Sequence, residues 1–351
     1  MNFRCNFEYF STVAAQTILL FLSAVIVIFL FYKPVKEFNP IGHESFIMKV
    51  TPEVVAKWGK EPAHVKTGFL IHEFLQSDAI KNNFLISAVI SFEFDPTQVT
   101  QEALDKFSFS KGDIIRKSDP LIRKISDHLT FVQYYVYIQF SALFDYVRFP
   151  LDDHRISLNL TNNTLEAQNV IFDAAPEDFS IPPYVSVSGW DIISHKPIGG
   201  YVEFKSLDSQ SVRHPKVLFT MDVKKHDLRQ LFLLFLPMFM LFYITMFILA
   251  IQDFTTDLTT SLFVITAFMA NAIVIQGISP NAGYFMMLDY FVLFFLAVMF
   301  IVFLINFLCT LPEEKFSRDT LAKVRGFSVI CIYIMLIAVT YYLTNVYKIG
   351  A

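Results

Sequence analysis

The run LFLLFLPMFMLFYITMFILAI, residues 231–251, holds no charged side chain. A bilayer core takes about 20 apolar residues per helix, so this run predicts a membrane-spanning helix. Four more uncharged runs qualify: Ser11 to Tyr32, Leu258 to Met287, Tyr290 to Leu311 and Gly326 to Tyr347. The whole chain agrees: of 351 residues 54% are hydrophobic, only 17% are charged and 40 are Phe. Its mean hydropathy of +0.48 is far above that of ordinary soluble chains. With 28 basic against 32 acidic residues, no basic surplus exists to neutralise a phosphate backbone, which argues against nucleic-acid binding.

Between the first two runs lies one polar block that reads as β-rich. Residues 69–74, 84–94 and 156–160 alternate apolar and polar side chains, with Asp95-Pro96 and Asn162-Asn163 as turn signals. The block predicts one sandwich-sized domain, residues 65–229, after a linker over 33–64. Cys5, Cys309 and Cys331 lie in or beside apolar runs, so no disulfide framework holds this domain. Arg4 before the first run resembles the start of a secretory signal. The run is too long and lacks a small-x-small cleavage site, so it is read as a retained helix over 11–32. The connection from Leu311 to Arg325 carries Lys315, Arg318, Lys323 and Arg325, whereas Gln276 to Leu288 carries no basic residue. The basic connection is therefore expected on the cytoplasmic side, with residues 1–10 beside it and the β domain outside.

Several motifs fall in one order. Arg148-Phe149-Pro150-Leu151-Asp152-Asp153-His154-Arg155 is similar to the F-P-x-D signature of pentameric ligand-gated ion channels, and Gly189-Trp190-Asp191-Ile192 to a G-W-[DE]-I strand of their bacterial members. Leu236-Pro237-Met238 resembles the proline of the family's first helix, M1, and Lys225 stands where a basic residue precedes it. Pro280, Tyr284 and Asp289 follow the P-x3-Y-x4-D spacing of the loop between M2 and M3. Gly68, Ile71, Asp78, Phe84 and Asp95-Pro96 fall at spacings like those of the family's first two strands. No Cys flanks Phe149 to Asp152, which points to the prokaryotic branch, and the W-x-P-[DE] stretch is missing between Thr97 and Thr130. The resemblance implies an extracellular all-β sandwich followed by a four-helix bundle, with one additional N-terminal helix. Its helices are M1 over 230–251, M2 over 258–277, M3 over 290–311 and M4 over 326–347, joined by a short link over 252–257 and loops over 278–289 and 312–325. It further implies a homopentamer in a bacterial inner membrane that passes inorganic ions and is gated by a small ligand or protons, with no cofactor and no metal.

At 100° per residue, Thr255, Thr259, Thr266 and Ala270 share one face of the 258–277 helix, and Phe263 joins them in one register. Thr256, Thr260, Ala267 and Asn271 form the adjacent stripe, and a second register places Phe268 there. A ring of hydroxyls would line a wetted path and a ring of Phe would constrict it. Alternatively, each Thr hydroxyl bonds back to its own helix. Asp253 and Asp257 would favour cations at the cytoplasmic mouth, or else only complement a helix dipole. By resemblance Asp152, Asp78, Lys225, Pro150, Pro280 and Tyr284 couple the β domain to the helices, with Asp152 pairing Lys225. Tyr201, Phe204, Arg213 and His214, in a hairpin over 201–216, would hold an anionic or aromatic ligand. A second reading is a non-conducting membrane sensor or accessory subunit. An enzyme is not expected, because no HExxH, GxSxG or Walker motif occurs.

Overall fold

The computed structural model describes residues 12–38, 40, 46–78, 83–142, 144–187, 189–205, 211–225, 228–250, 254–310 and 318–347. The chain divides into two units. Residues 40–145 and 153–226 form a β unit; the remaining residues, with Tyr146–Asp152 inserted among them, form a helical one.

Among the described residues, the β unit holds helices α2 (Pro52–Trp58) and α3 (Gln101–Leu104) and eleven strands. These are β1 (Ala63–Asp78), β2 (Asn83–Phe94), β3 (Ser108–Ser110), β4 (Gly112–Lys117), β5 (Leu121–Ser126), β6 (Leu129–Ser141), β7 (His154–Thr161), β8 (Val170–Asp173), β9 (Phe179–Ser180), β10 (Trp190–Lys205) and β11 (Ser211–Lys225). Their pairing runs β2-β1-β8-β10-β11-β7-β3-β4-β6, and β6 then pairs β2 along its length. Nine strands thus close on themselves, so the unit is a β-barrel and the expected sandwich is overturned. The parallel pairing of β1 with β8 and the β2–β6 pairing join what a sandwich would leave as two separate sheets.

Alternation along β2 puts Phe84, Ile86, Ala88, Ile90, Phe92 and Phe94 inside, as a half-buried strand requires. Phe69, Phe179 and Phe219 meet there with ring centroids 4.9–5.8 Å apart. Such pairs add about 0.5–1.5 kcal/mol each beyond their buried area.

β11 breaks the alternation, because Val217 to Val223 are buried on both faces. The inner face is core. Outside, residues 46–49 of the expected linker lie across β10 and β11. Met48 exchanges both backbone hydrogen bonds with Tyr201 at 2.9 Å, and Lys216 Nζ donates to the Phe46 carbonyl at 2.9 Å. Gly200 is required at this crossing, since a Cβ there would overlap the Met48 carbonyl oxygen. Gly200→Ala should therefore lift residues 46–49 from the sheet, seen as faster amide exchange at Met48 and a lower melting temperature.

The helical unit contains α1 (Val13–Lys36), α4 (Leu228–Ile248), α5 (Phe254–Ile278), α6 (Met287–Cys309) and α7 (Arg318–Tyr341), the last continuing as a π-turn to Val346. All five helices are long and apolar enough to cross a membrane. The additional N-terminal helix α1 packs against α4 and α7 along one stripe and leaves most of its remaining surface exposed. Its stripe Gln16, Ser23, Val27 and Phe31 is buried. Ser23 Oγ lies 3.2 Å from Tyr243 Oη, and Tyr333 Oη donates to Gln16 Oε1 at 3.3 Å. Phe31 meets Phe235 edge-on at 5.0 Å.

Candidate pore helix and coupling loop

α5 has two unlike faces. Asp257, Ser261, Val264, Phe268 and Ile275 are buried, at the heptad-like spacing that faces neighbouring helices. Phe268 is fully buried, its ring 6.4 Å from Phe295 of α6. On the opposite side Thr259, Phe263, Thr266 and Ala270 are exposed, Phe263 by 73%. Phe268 therefore belongs to the interior of the helical unit, away from the exposed face of α5. Its companions Thr260, Ala267 and Asn271 are half-buried. The side chains of Thr255 and Thr256, and the whole of Asp253, lie outside the described residues. Thr266 Oγ1 donates to the Leu262 carbonyl at 2.9 Å, the back-bonding that membrane helices offer a hydroxyl.

Asp257 does not stand at an open mouth. It is fully buried, and Arg325 Nη2 donates to its Oδ2 at 3.1 Å. The same nitrogen donates to Asn306 Oδ1 at 3.1 Å, and Asn306 Nδ2 donates to Ser261 Oγ at 2.9 Å. Ser261 Oγ in turn donates to the Asp257 carbonyl at 2.8 Å. One network thus ties α5, α6 and α7 together. Arg325 reaches it because α7 begins at Arg318, so the end of the expected 312–325 loop is helical. An ionised pair among apolar helices is tolerated only when each charge is matched and hydrogen-bonded. Asp257 is thus buried and matched by Arg325 within the helical unit, rather than solvated as the expected carboxylate ring requires. No sequence signal joined the two, which stand 68 positions apart.

Tyr146–Asp152, which carries the F-P-x-D motif, lies between β6 and β7 in sequence yet packs with the helices. The Tyr146 amide donates to Tyr284 Oη at 2.8 Å, and the Met287 amide donates to the Val147 carbonyl at 2.8 Å. The link between α5 and α6 therefore grips this loop, and Pro150, Asp152 and Pro280 are buried. Lys225 belongs to the barrel, where its Nζ lies 5.6 Å from the Trp190 ring centroid. Asp152 and Lys225 fall in different units. Asp78 ends β1, with its side chain outside the described residues. His154 is buried between Phe144, stacked at 4.0 Å, and Trp190 at 4.8 Å.

The four expected ligand residues do not share one face. Tyr201 is buried, edge-on to Trp58 at 5.5 Å. Arg213 Nη2 donates to Glu203 at 3.0 Å, and His214 Nδ1 lies 2.8 Å from the Leu165 carbonyl. Phe204 is exposed and lies 6.1 Å from the His214 ring. Cross-strand pairing sets Glu203 opposite Arg213 and Val202 opposite His214, so Tyr201 and Arg213 point to one side and Phe204 and His214 to the other. No known family model matches this chain, and no curated protein matches it.

Proposed function

We propose that this chain is one subunit of an ion channel, with copies arranged so that the bare face of α5 lines a shared path. The supporting observation is the division of α5 between a fully packed face and an exposed face bearing Thr259, Phe263, Thr266 and Ala270. Exposed hydroxyls alternating with one large apolar side chain are the materials of a wetted path with a constriction. Five copies, a bacterial inner membrane and a barrel on its outer side come from the motif resemblance and the loop charges alone. Cation preference has lost Asp257 as its basis, because that carboxylate is matched by Arg325.

Control of opening would pass through Tyr146–Asp152, which is continuous with two barrel strands and hydrogen-bonded to the α5–α6 link. Tyr284→Phe removes the acceptor for the Tyr146 amide. It should shift the stimulus needed for opening while leaving single-channel conductance unchanged.

Current from purified protein in a planar bilayer tests the proposal. In a Cys-free background, Thr266→Cys should be blocked by a water-soluble thiol reagent and Phe268→Cys should not. The accessory-subunit reading is favoured by the Thr266–Leu262 hydrogen bond, which satisfies that hydroxyl without any pore. Absence of current, with residue 266 labelled only by lipid-soluble reagents, would establish that reading instead.

A further inference from the structure

Outside the barrel, beneath residues 46–49, lies a cavity of about 400 Å³. That volume falls in the range of small-molecule sites. Its floor is the outer face of three adjacent strands, β10, β11 and β7. Lys196 stands opposite Thr220, and Thr220 opposite Ser157, so an ammonium and two hydroxyls form one row across the sheet. Arg155 lines it one step along β7, and Lys49 closes it from the covering segment.

The charge here is unbalanced. Arg155 is matched, its Nε donating to Asp222 Oδ1 at 2.7 Å and its Nη2 to Oδ2 at 3.3 Å, while Ser194 Oγ also donates to Asp222 at 2.9 Å. Among the described residues, Lys49 and Lys196 have no ion-pair partner. Close by, Lys216 is almost fully buried, and burial together with the Lys111 charge pushes its ammonium below the ordinary lysine value. Two uncompensated cations, two hydroxyls and a fixed guanidinium therefore converge on one roofed space.

We propose that this cavity binds a small dianion, a phosphate monoester or a dicarboxylate, whose charges meet Lys49 and Lys196 and whose oxygens accept from Ser157 and Thr220. Because Lys49 lies on the covering segment and Lys196 on the sheet, the bound dianion clamps residues 46–49 to the barrel. Binding requires nothing of α5, so it stands or falls apart from conduction.

The test uses the full chain in detergent, with glycerol 3-phosphate and succinate as probes and sodium chloride at matched ionic strength as control. A ligand that binds only the folded state raises the melting temperature in a saturable way. At least one probe should do so, and which one does distinguishes phosphate from dicarboxylate recognition. Amide exchange at Met48 should slow on binding. Lys49→Gln and Lys196→Gln, both at exposed positions, should each weaken binding about tenfold while leaving the ligand-free melting temperature unchanged. If neither probe outperforms chloride, the proposal is overturned. Unchanged affinity in the Lys49→Gln/Lys196→Gln double variant, or binding without slower Met48 exchange, places the anion elsewhere and also overturns it.

Discussion

Arg325→Met will cost the helical unit about 3–5 kcal/mol, the typical penalty for stranding one member of a buried pair. The variant leaves Asp257 fully buried without its cation, and takes from Asn306 the donor that orients it toward Ser261. Asp257→Asn should cost less, because an amide keeps an acceptor for Arg325 Nη2 and strands only the guanidinium, whose side chain is 7% exposed. The double variant Asp257→Leu/Arg325→Met removes both charges and should recover most of the lost stability. Melting of the purified protein, followed by loss of monodispersity, measures all three. A double variant as unstable as Arg325→Met would mean that the pair is not the origin of the effect. In a conducting preparation, the ion preference of Asp257→Asn should match that of the parent chain, since this carboxylate faces inward.

The two phenylalanines of α5 should behave in opposite ways. Phe268→Ala empties a fully buried site against Phe295, and large-to-small changes of this kind cost about 3–5 kcal/mol. Phe263→Ala touches a side chain that is 73% exposed, so its effect on melting should be small. On the proposed reading, Phe263→Ala also widens a constriction and raises resting current severalfold, while Phe268→Ala lowers the amount of folded protein without that leak. Equal melting losses for the two variants would refute the division of α5 into a packed and a bare face.

Much was legible from local pattern. Five uncharged runs marked the five long helices, because an apolar run of that length has few other places to be. Boundaries were less legible: α7 begins at Arg318, where charge suggested a loop, because the solvent exposure of a charged side chain depends on its partner. The strands were found where alternation is clean, as in β2 and β7. Alternation states that a strand has one buried face and is silent on its neighbours, so sandwich and barrel read alike. The long β2–β6 pairing and the β1–β8 contact decide for the barrel.

Composition and hydropathy alone determined that this is a chain of five apolar helices and one β-rich block, since burying apolar surface needs no knowledge of partners. Tertiary structure alone decided which polar groups come near one another: Asp257 pairs with Arg325 among the helices, and Lys49, Lys196 and Ser157 line one outer cavity. The reason is that charge acts through distances in space, and residues from separate helices and strands acquire those distances only when the chain has folded.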